Sequence, residues 1–151
     1  PICVLKIGAL TFAERDERKD RTKKAVRVLE TALEGGALPG GGVAYLHAIP
    51  AVCAVKRSDA EHDAGVDLVA RALTAPFVQI VSNTGHDAPQ VALHDVQRSG
   101  GDLGYDARTG KYVSMREAGI LDSVAILTAA LQSAGSAAIM ALTTDVVIVE
   151  K

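Results

Sequence analysis

The sequence predicts a mostly α-helical fold with short β segments, and three observations carry that prediction. Aromatic residues make up 3% of the chain and Trp is absent, so its apolar content is largely Ala, Val and Leu. These side chains pack helices closely rather than line an aromatic ligand cavity. Apolar residues recur at three- and four-residue spacings over several stretches, the period of a helix buried on one face. The β-like stretches are short and bounded by turn residues. With 151 residues, 48% of them hydrophobic, the chain has the size and apolar content of one ordinary domain with a core.

The chain opens on an alternation, Ile2 and Val4 against Cys3, Leu5 and Ile7, which predicts a strand and reads as one cut from something longer. Gly8 ends it. From Glu14 to Lys24 every residue except Thr22 is charged, a solvated helix start. Ala25, Val26, Val28, Leu29, Ala32 and Leu33 then predict one buried stripe, which Gly35 and Gly36 terminate. At about 1.5 Å per residue this helix spans about 30 Å. It suits an arm between two domains or an ordinary surface helix, and the pattern alone allows both.

Leu38-Pro39-Gly40-Gly41-Gly42-Val43 follows, with three glycines at the entrance of the next helix. Exposed amides there allow phosphate or sugar to approach, but the run lacks the Lys-Ser/Thr of a P-loop, which favours a flexible turn. Pro50 should kink the following helix or end it early. From Gly65 to Ser82, Val66, Val69, Ala70, Leu73, Phe77, Ile80 and Val81 form a helical stripe stopped at Asn83-Thr84-Gly85, which reads as core. Arg108-Thr109-Gly110 between Gly104-Tyr105-Asp106-Ala107 and Lys111-Tyr112-Val113 predicts a small hairpin. Asp122 precedes an Ala-rich helix reaching about Met140, where an N-cap is the usual role for such an Asp. Asp145 to Val149 predicts a last strand whose partner lies outside this chain.

A net charge of -2 and a pI near 6.1 leave no basic footprint for DNA or RNA. No apolar run approaches the roughly 18 residues a membrane helix needs, and no signal peptide opens the chain, so the reading is soluble and intracellular. Cys3 and Cys53 are far apart in apolar settings and are expected to be buried free thiols in a reducing compartment. His62, His86 and His94 share no ligand spacing, which argues against zinc and for surface histidines. No Ser-His-Asp, Cys-His or metal constellation emerges to support a small enzyme in its own right.

Several segments, in this order, resemble the last part of a group I chaperonin subunit of the GroEL type. They include Val4-Leu5-Lys6-Ile7-Gly8-Ala9, Pro39-Gly40-Gly41-Gly42-Val43-Ala44, Arg71-Ala72-Leu73 with Ala75-Pro76, and Gln79-Ile80-Val81 with Asn83 and Gly85. Gly104-Tyr105, Gly119-Ile120-Leu121-Asp122, Ala130-Leu131-Gln132 and Leu142-Thr143-Thr144 continue the match across essentially the whole chain. The resemblance implies that residues 1–35 are the returning strand and helix of the intermediate domain. Residues 36–151 are then the C-terminal half of the equatorial domain, and the apical domain is absent. It implies a fragment of an ATP-dependent subunit in a homo-oligomeric ring that assists folding of non-native proteins with a co-chaperonin. The expected compartment is the cytoplasm, or alternatively an organelle stroma or matrix.

In that family the adenosine side of the nucleotide pocket corresponds here to Gly41, to Asp106, Ala107 and Arg108, and to Asp122. Glycine lets nucleotide approach, hairpin groups read the adenine edge, and a carboxylate accepts hydrogen bonds from ribose hydroxyls. The family hairpin reads Gly-Tyr-Asn-Ala-Ala, so Asp106 and Arg108 replace an amide and a small residue, which tells against adenine contact. Counting back from Gly40 places Lys24 where the family has the aspartate that orients the attacking water. A lysine is cationic at neutral pH and accepts no hydrogen bond from water, although it can attract phosphate. Asp20, one helical turn earlier, is displaced by about 5.4 Å and is expected to pair with Lys24. The phosphate loop and the Mg ligand belong to the family's N-terminal segment. The chain alone is therefore expected to bind ATP weakly and not to hydrolyse it. A chaperonin-derived structural or interaction module without ATPase activity is the alternative.

Overall fold

The computed structural model describes residues 2–57 and 59–146. Its elements run α1 (Phe12–Gly35), β1 (Ala37–Pro39), α2 (Val43–Cys53), α3 (Ala60–Ala72), α4 (Ala75–Asn83), α5 (Pro89–Ser99), β2 (Leu103–Asp106), β3 (Lys111–Ser114), β4 (Leu121–Ser123) and α6 (Val124–Leu142). The chain is mostly helical with short strands, and it divides into two compact units. Residues up to Ala37 with those from Ser123 onward form one, and Leu38–Asp122 the other.

In the first unit, α1 starts at a Thr11 cap whose hydroxyl accepts the Glu14 amide at 3.2 Å. The charged half that follows is laced by side-chain pairs one turn apart, Glu14 with Arg18 at 2.6 Å and Glu17 with Arg21. Gly36 closes the helix through its amide to the Ala32 carbonyl. The Gly36 carbonyl in turn accepts the Val124 amide at 3.1 Å, joining the negative end of α1 to the positive start of α6. The stripe expected to be buried is not: neither helix contains a buried residue, and Leu29 and Leu33 are 64% and 88% exposed. Two helices cannot enclose each other's apolar faces.

The expected opening strand forms no ladder among the described residues, because Ile2–Ile7 meets no second strand. Of the expected strand Asp145–Val149, residues 147–149 lie outside the described residues, and Asp145 and Val146 carry no strand. The reading that no run approaches membrane length is also corrected. Helix α6 is 19 residues with a mean hydropathy of 1.6, long and apolar enough to cross a membrane by length and composition, as is the stretch Ala60–Asn83. Gln132, Ser133 and Ser136 break the apolar pattern of α6 without adding charge.

The second unit holds the core. Val43 and Leu46 from α2, Phe77 and Val81 from α4, and Ala92, Leu93 and Val96 from α5 enclose Tyr105 of β2 and Met115 just after β3. Strands β2 and β3 form the expected antiparallel hairpin, with Tyr105 opposite Tyr112 and Asp106 opposite Lys111. Strands β1 and β4 pair as a second sheet, extended by the Gly40 amide donating to the Ile120 carbonyl at 2.9 Å. The apolar stripe read over 65–82 belongs to two helices, because Pro76 supplies no amide and sits in the first turn of α4. Pro50 does not stop α2 at once; the helix runs to Cys53, and the Pro50 carbonyl accepts the Ala54 amide at 3.0 Å. Both cysteines are exposed rather than buried, Cys53 as the last residue of α2 and Cys3 in the opening segment.

Gly42 caps α2 in the left-handed region at φ +83, and a Cβ there would lie 2.8 Å from the Phe77 amide nitrogen. Gly85 shares the conformation, at φ +77, but a Cβ would meet nothing within 4 Å. Gly42→Ala should therefore cost about 2–4 kcal/mol, from left-handed strain plus overpacking, and Gly85→Ala only the strain of about 1–2 kcal/mol. Urea unfolding of the two variants measures the difference; equal losses would mean that the α2 entrance does not press on α4.

Candidate functional site

The glycine turn is a packed junction rather than a loose loop. A Cβ on Gly40 would lie 3.1 Å from the Ile120 carbonyl and 3.3 Å from Asp122 Oδ2. On Gly41, at φ +65, it would lie 3.2 Å from Met115 Cε and 3.9 Å from the Tyr105 carbonyl. The turn therefore runs between β4, which carries Asp122, and β2, which ends at Asp106. Of the residues expected to form a site, the structure thus brings Gly41, Asp122 and the base of the hairpin into one neighbourhood.

Asp122 is half-buried and is not the cap of α6. That position is Ser123, whose hydroxyl is buried and makes no side-chain cap bond. Withdrawal from water pushes the Asp122 carboxyl above the usual carboxylate range. The neighbouring phenol of Tyr45, in the first turn of α2, is raised in turn, first by its own burial and then by the Asp122 charge. A carboxylate held at such a cost next to a backbone turn is the kind of group that functional sites contain. Tyr45 was missed in the sequence. The available signal was its position three residues past Gly42, one turn into the helix that the glycines open.

The hairpin tip has a different character. Asp106 Oδ1 accepts the Arg108 amide at 2.9 Å, its Oδ2 accepts the Thr109 hydroxyl at 2.7 Å, and its carbonyl accepts the Gly110 amide at 2.8 Å. The Thr109 hydroxyl first, and then the Arg108 amide, hold the Asp106 carboxyl below its ordinary value. Its charge is spent on building the turn, a use of Asp that favours local side-chain to backbone bonding. Ala107 and Arg108 are exposed at the tip.

Lys24 lies on α1 in the other unit, exposed along an open groove of about 800 Å³ that Leu5, Ile7, Asp20 and Arg27 also line. Asp20 pairs with Lys23 at 3.8 Å rather than with Lys24, since i,i+3 spacing serves as well as i,i+4. Among the described residues, no three His, Cys, Asp or Glu side chains gather to hold a metal ion. His86 is not a plain surface histidine but half-buried against the Tyr105 ring, with centroids 5.6 Å apart.

Comparison with known proteins follows from this geometry. The model of the TCP-1/cpn60 chaperonin family matches residues 1–151, the whole chain. The chain belongs to the TCP-1/cpn60 chaperonin family. Among solved structures, this chaperonin chain is similar to a group III chaperonin crystallised in the open state, with a TM-score of 0.79 and 30% sequence identity. That similarity covers 94% of this chain and 30% of the other, so this chaperonin chain spans less than a third of that relative.

The raised Asp122 carboxyl makes a signed prediction. Its ionised form is disfavoured in the fold, so it costs stability at neutral pH, and the cost is relieved as pH falls through the raised folded value. Asp122→Asn should therefore unfold at higher urea than the parent chain at pH 7, with the gap closing by about pH 4, near the ordinary Asp value. A variant less stable than the parent at pH 7 would contradict the burial argument.

Proposed function

We propose that this chain is the C-terminal part of a chaperonin subunit, where it supplies ring scaffold and the adenosine side of an ATP pocket. Residues 1–35 act as the returning part of an intermediate domain and residues 36–151 as the C-terminal half of an equatorial domain, of the group I type. The observation that carries the reading is the half-buried Asp122 carboxylate beside the Gly40–Gly41 turn, in a chain matched end to end by a chaperonin family model. Gly41 gives backbone access, and Asp122 accepts hydrogen bonds from the ribose hydroxyls, which offset its desolvation.

The subunit works in a ring with its like, on non-native proteins and with a co-chaperonin, in the cytoplasm. When bound with ATP, Mg balances phosphate charge. In this reading its ligand comes from the N-terminal segment of the subunit, as the family resemblance implies. Lys24 stands where the family orients water, and its ammonium draws phosphate without acting as an acceptor. Loss of a positioned base costs about 10²- to 10⁴-fold in rate, which makes the subunit a slow switch.

A second reading, a chaperonin-derived module that assembles without hydrolysis, is favoured by one observation. Both Asp106 carboxylate oxygens are engaged in the hairpin turn, so that side chain offers little to an adenine.

In the whole subunit, Asp122→Asn should weaken ATP about tenfold, the worth of a charged hydrogen bond, and narrow the preference for ATP over 2′-deoxy-ATP. Lys24→Asp should raise ATP turnover by about 10²-fold or more. Unchanged binding in the first variant would remove the ribose contact from the proposal. Binding without any gain in turnover in the second would support the non-hydrolysing reading.

A further inference from the structure

We propose that the groove between the opening segment and α1 is a docking site for an acidic segment of a partner protein, extended and alternating acidic with apolar side chains. Leu5 and Ile7 line the groove from the opening segment, and Lys19, Lys23, Lys24 and Arg27 line it from α1. Its two sides are tied together. The Arg18 guanidinium donates to the Gly8 carbonyl at 2.9 Å and to Glu14 at 2.6 Å, and the Glu14 carboxylate accepts the Leu10 amide at 3.3 Å. The chain leaving the opening segment is thereby held on the first turns of the helix. The site lies within the first unit, whereas Asp122 belongs to the second, so it goes beyond the nucleotide reading and does not depend on it.

Charge selects the sign of the partner. Four cations line the groove against two carboxylates, Asp20 and Glu30, although the chain as a whole carries a net charge of -2. Among the described residues Asp20 pairs with Lys23 at 3.8 Å, while Lys19, Lys24 and Arg27 enter no ion pair. Lys19, Lys23 and Arg27 follow one another at four-residue spacing, which sets them on one face of α1 with successive charges about 6 Å apart along the axis. Two residues of an extended chain advance about 6.6 Å, so a carboxylate at every second position meets these cations in step. The intervening side chains point the other way, where Leu5, 61% exposed, and Ile7 offer apolar contact.

The same features disfavour a small anion such as phosphate. Amides in the middle of α1 are committed to the helix and form no cradle. The cations are strung along the axis rather than converging on a point, and the apolar lining offers a phosphate nothing. Exposed ion pairs are individually weak, so affinity depends on several charges acting together with the apolar contacts.

Fluorescence anisotropy of a labelled peptide of alternating glutamate and valine, titrated with the full chain at about 0.05 M salt, tests the docking. Binding should saturate, and a peptide of alternating glutamate and serine should bind roughly fivefold more weakly or worse, having lost its apolar side. Lys23→Glu and Arg27→Glu should each weaken the glutamate-valine peptide roughly threefold to tenfold, a loss that shrinks at about 0.5 M salt, where exposed charges are screened. Leu5→Ala should weaken it roughly threefold at either salt. All three positions are exposed, so the substitutions leave the fold intact. Equal binding of the two peptides, or displacement of the glutamate-valine peptide by micromolar inorganic tripolyphosphate, would overturn the proposal in favour of a general polyanion surface. Variants that bind as the parent does would overturn it as well.

Discussion

The turn at Gly40–Gly42 must carry the backbone into α2 while leaving no room for a side chain. A Cβ on Gly42 would meet the α4 backbone at Phe77, and one on Gly41 would meet the Met115 side chain. Phe77 and Met115 are themselves fully buried, so the turn cannot relax outward without opening the core. The same close approach draws Gly40 to β4 through the Ile120 carbonyl and sets Asp122 beside it. One steric constraint therefore orders the core and places the candidate site. The site is a by-product of how tightly α2 enters the second unit.

That placement explains the contrast between the two acids at the site. Asp106 lies where backbone amides and a hydroxyl satisfy it, and its carboxyl is held low. Asp122 is half-buried, and desolvation pushes its carboxyl up. A half-buried carboxylate that keeps one side open can take up a ligand's hydrogen bonds, whereas a group already held by its own turn offers a ligand little. The chemistry of the neighbourhood thus points to Asp122, with Tyr45 beside it, ahead of the hairpin tip.

Much of this was legible in the sequence because it rests on local rules. The glycine run, the hairpin with its Thr-Gly turn and the Ala-rich last helix each carry their own signal, and each appears where expected. What failed depended on partners that a single sequence does not display. The Leu29 and Leu33 stripe has the period of a buried face, but period says nothing of whether a covering surface is present. The opening alternation marks a strand, but a ladder needs a second strand. The usual cap role for Asp122 fails by a single residue, since Ser123 holds that position, while its place among the candidate site residues came from the family resemblance. Tyr45 carries no signal of its own in the sequence beyond its place after the glycines, and His86 reads there as a surface histidine, because the neighbours that matter, Asp122 and Tyr105 respectively, are distant in the chain.

Membership of the chaperonin family gives these positions a context, and the decisive question is whether a nucleoside occupies the junction. Amide chemical-shift mapping of the chain titrated with adenosine answers it most directly. The account predicts weak, saturable shifts that cluster at Gly40–Gly42, Tyr45 and Leu121–Asp122. Shifts that gather instead along Lys19–Arg27 of α1, or none at millimolar adenosine, would contradict it.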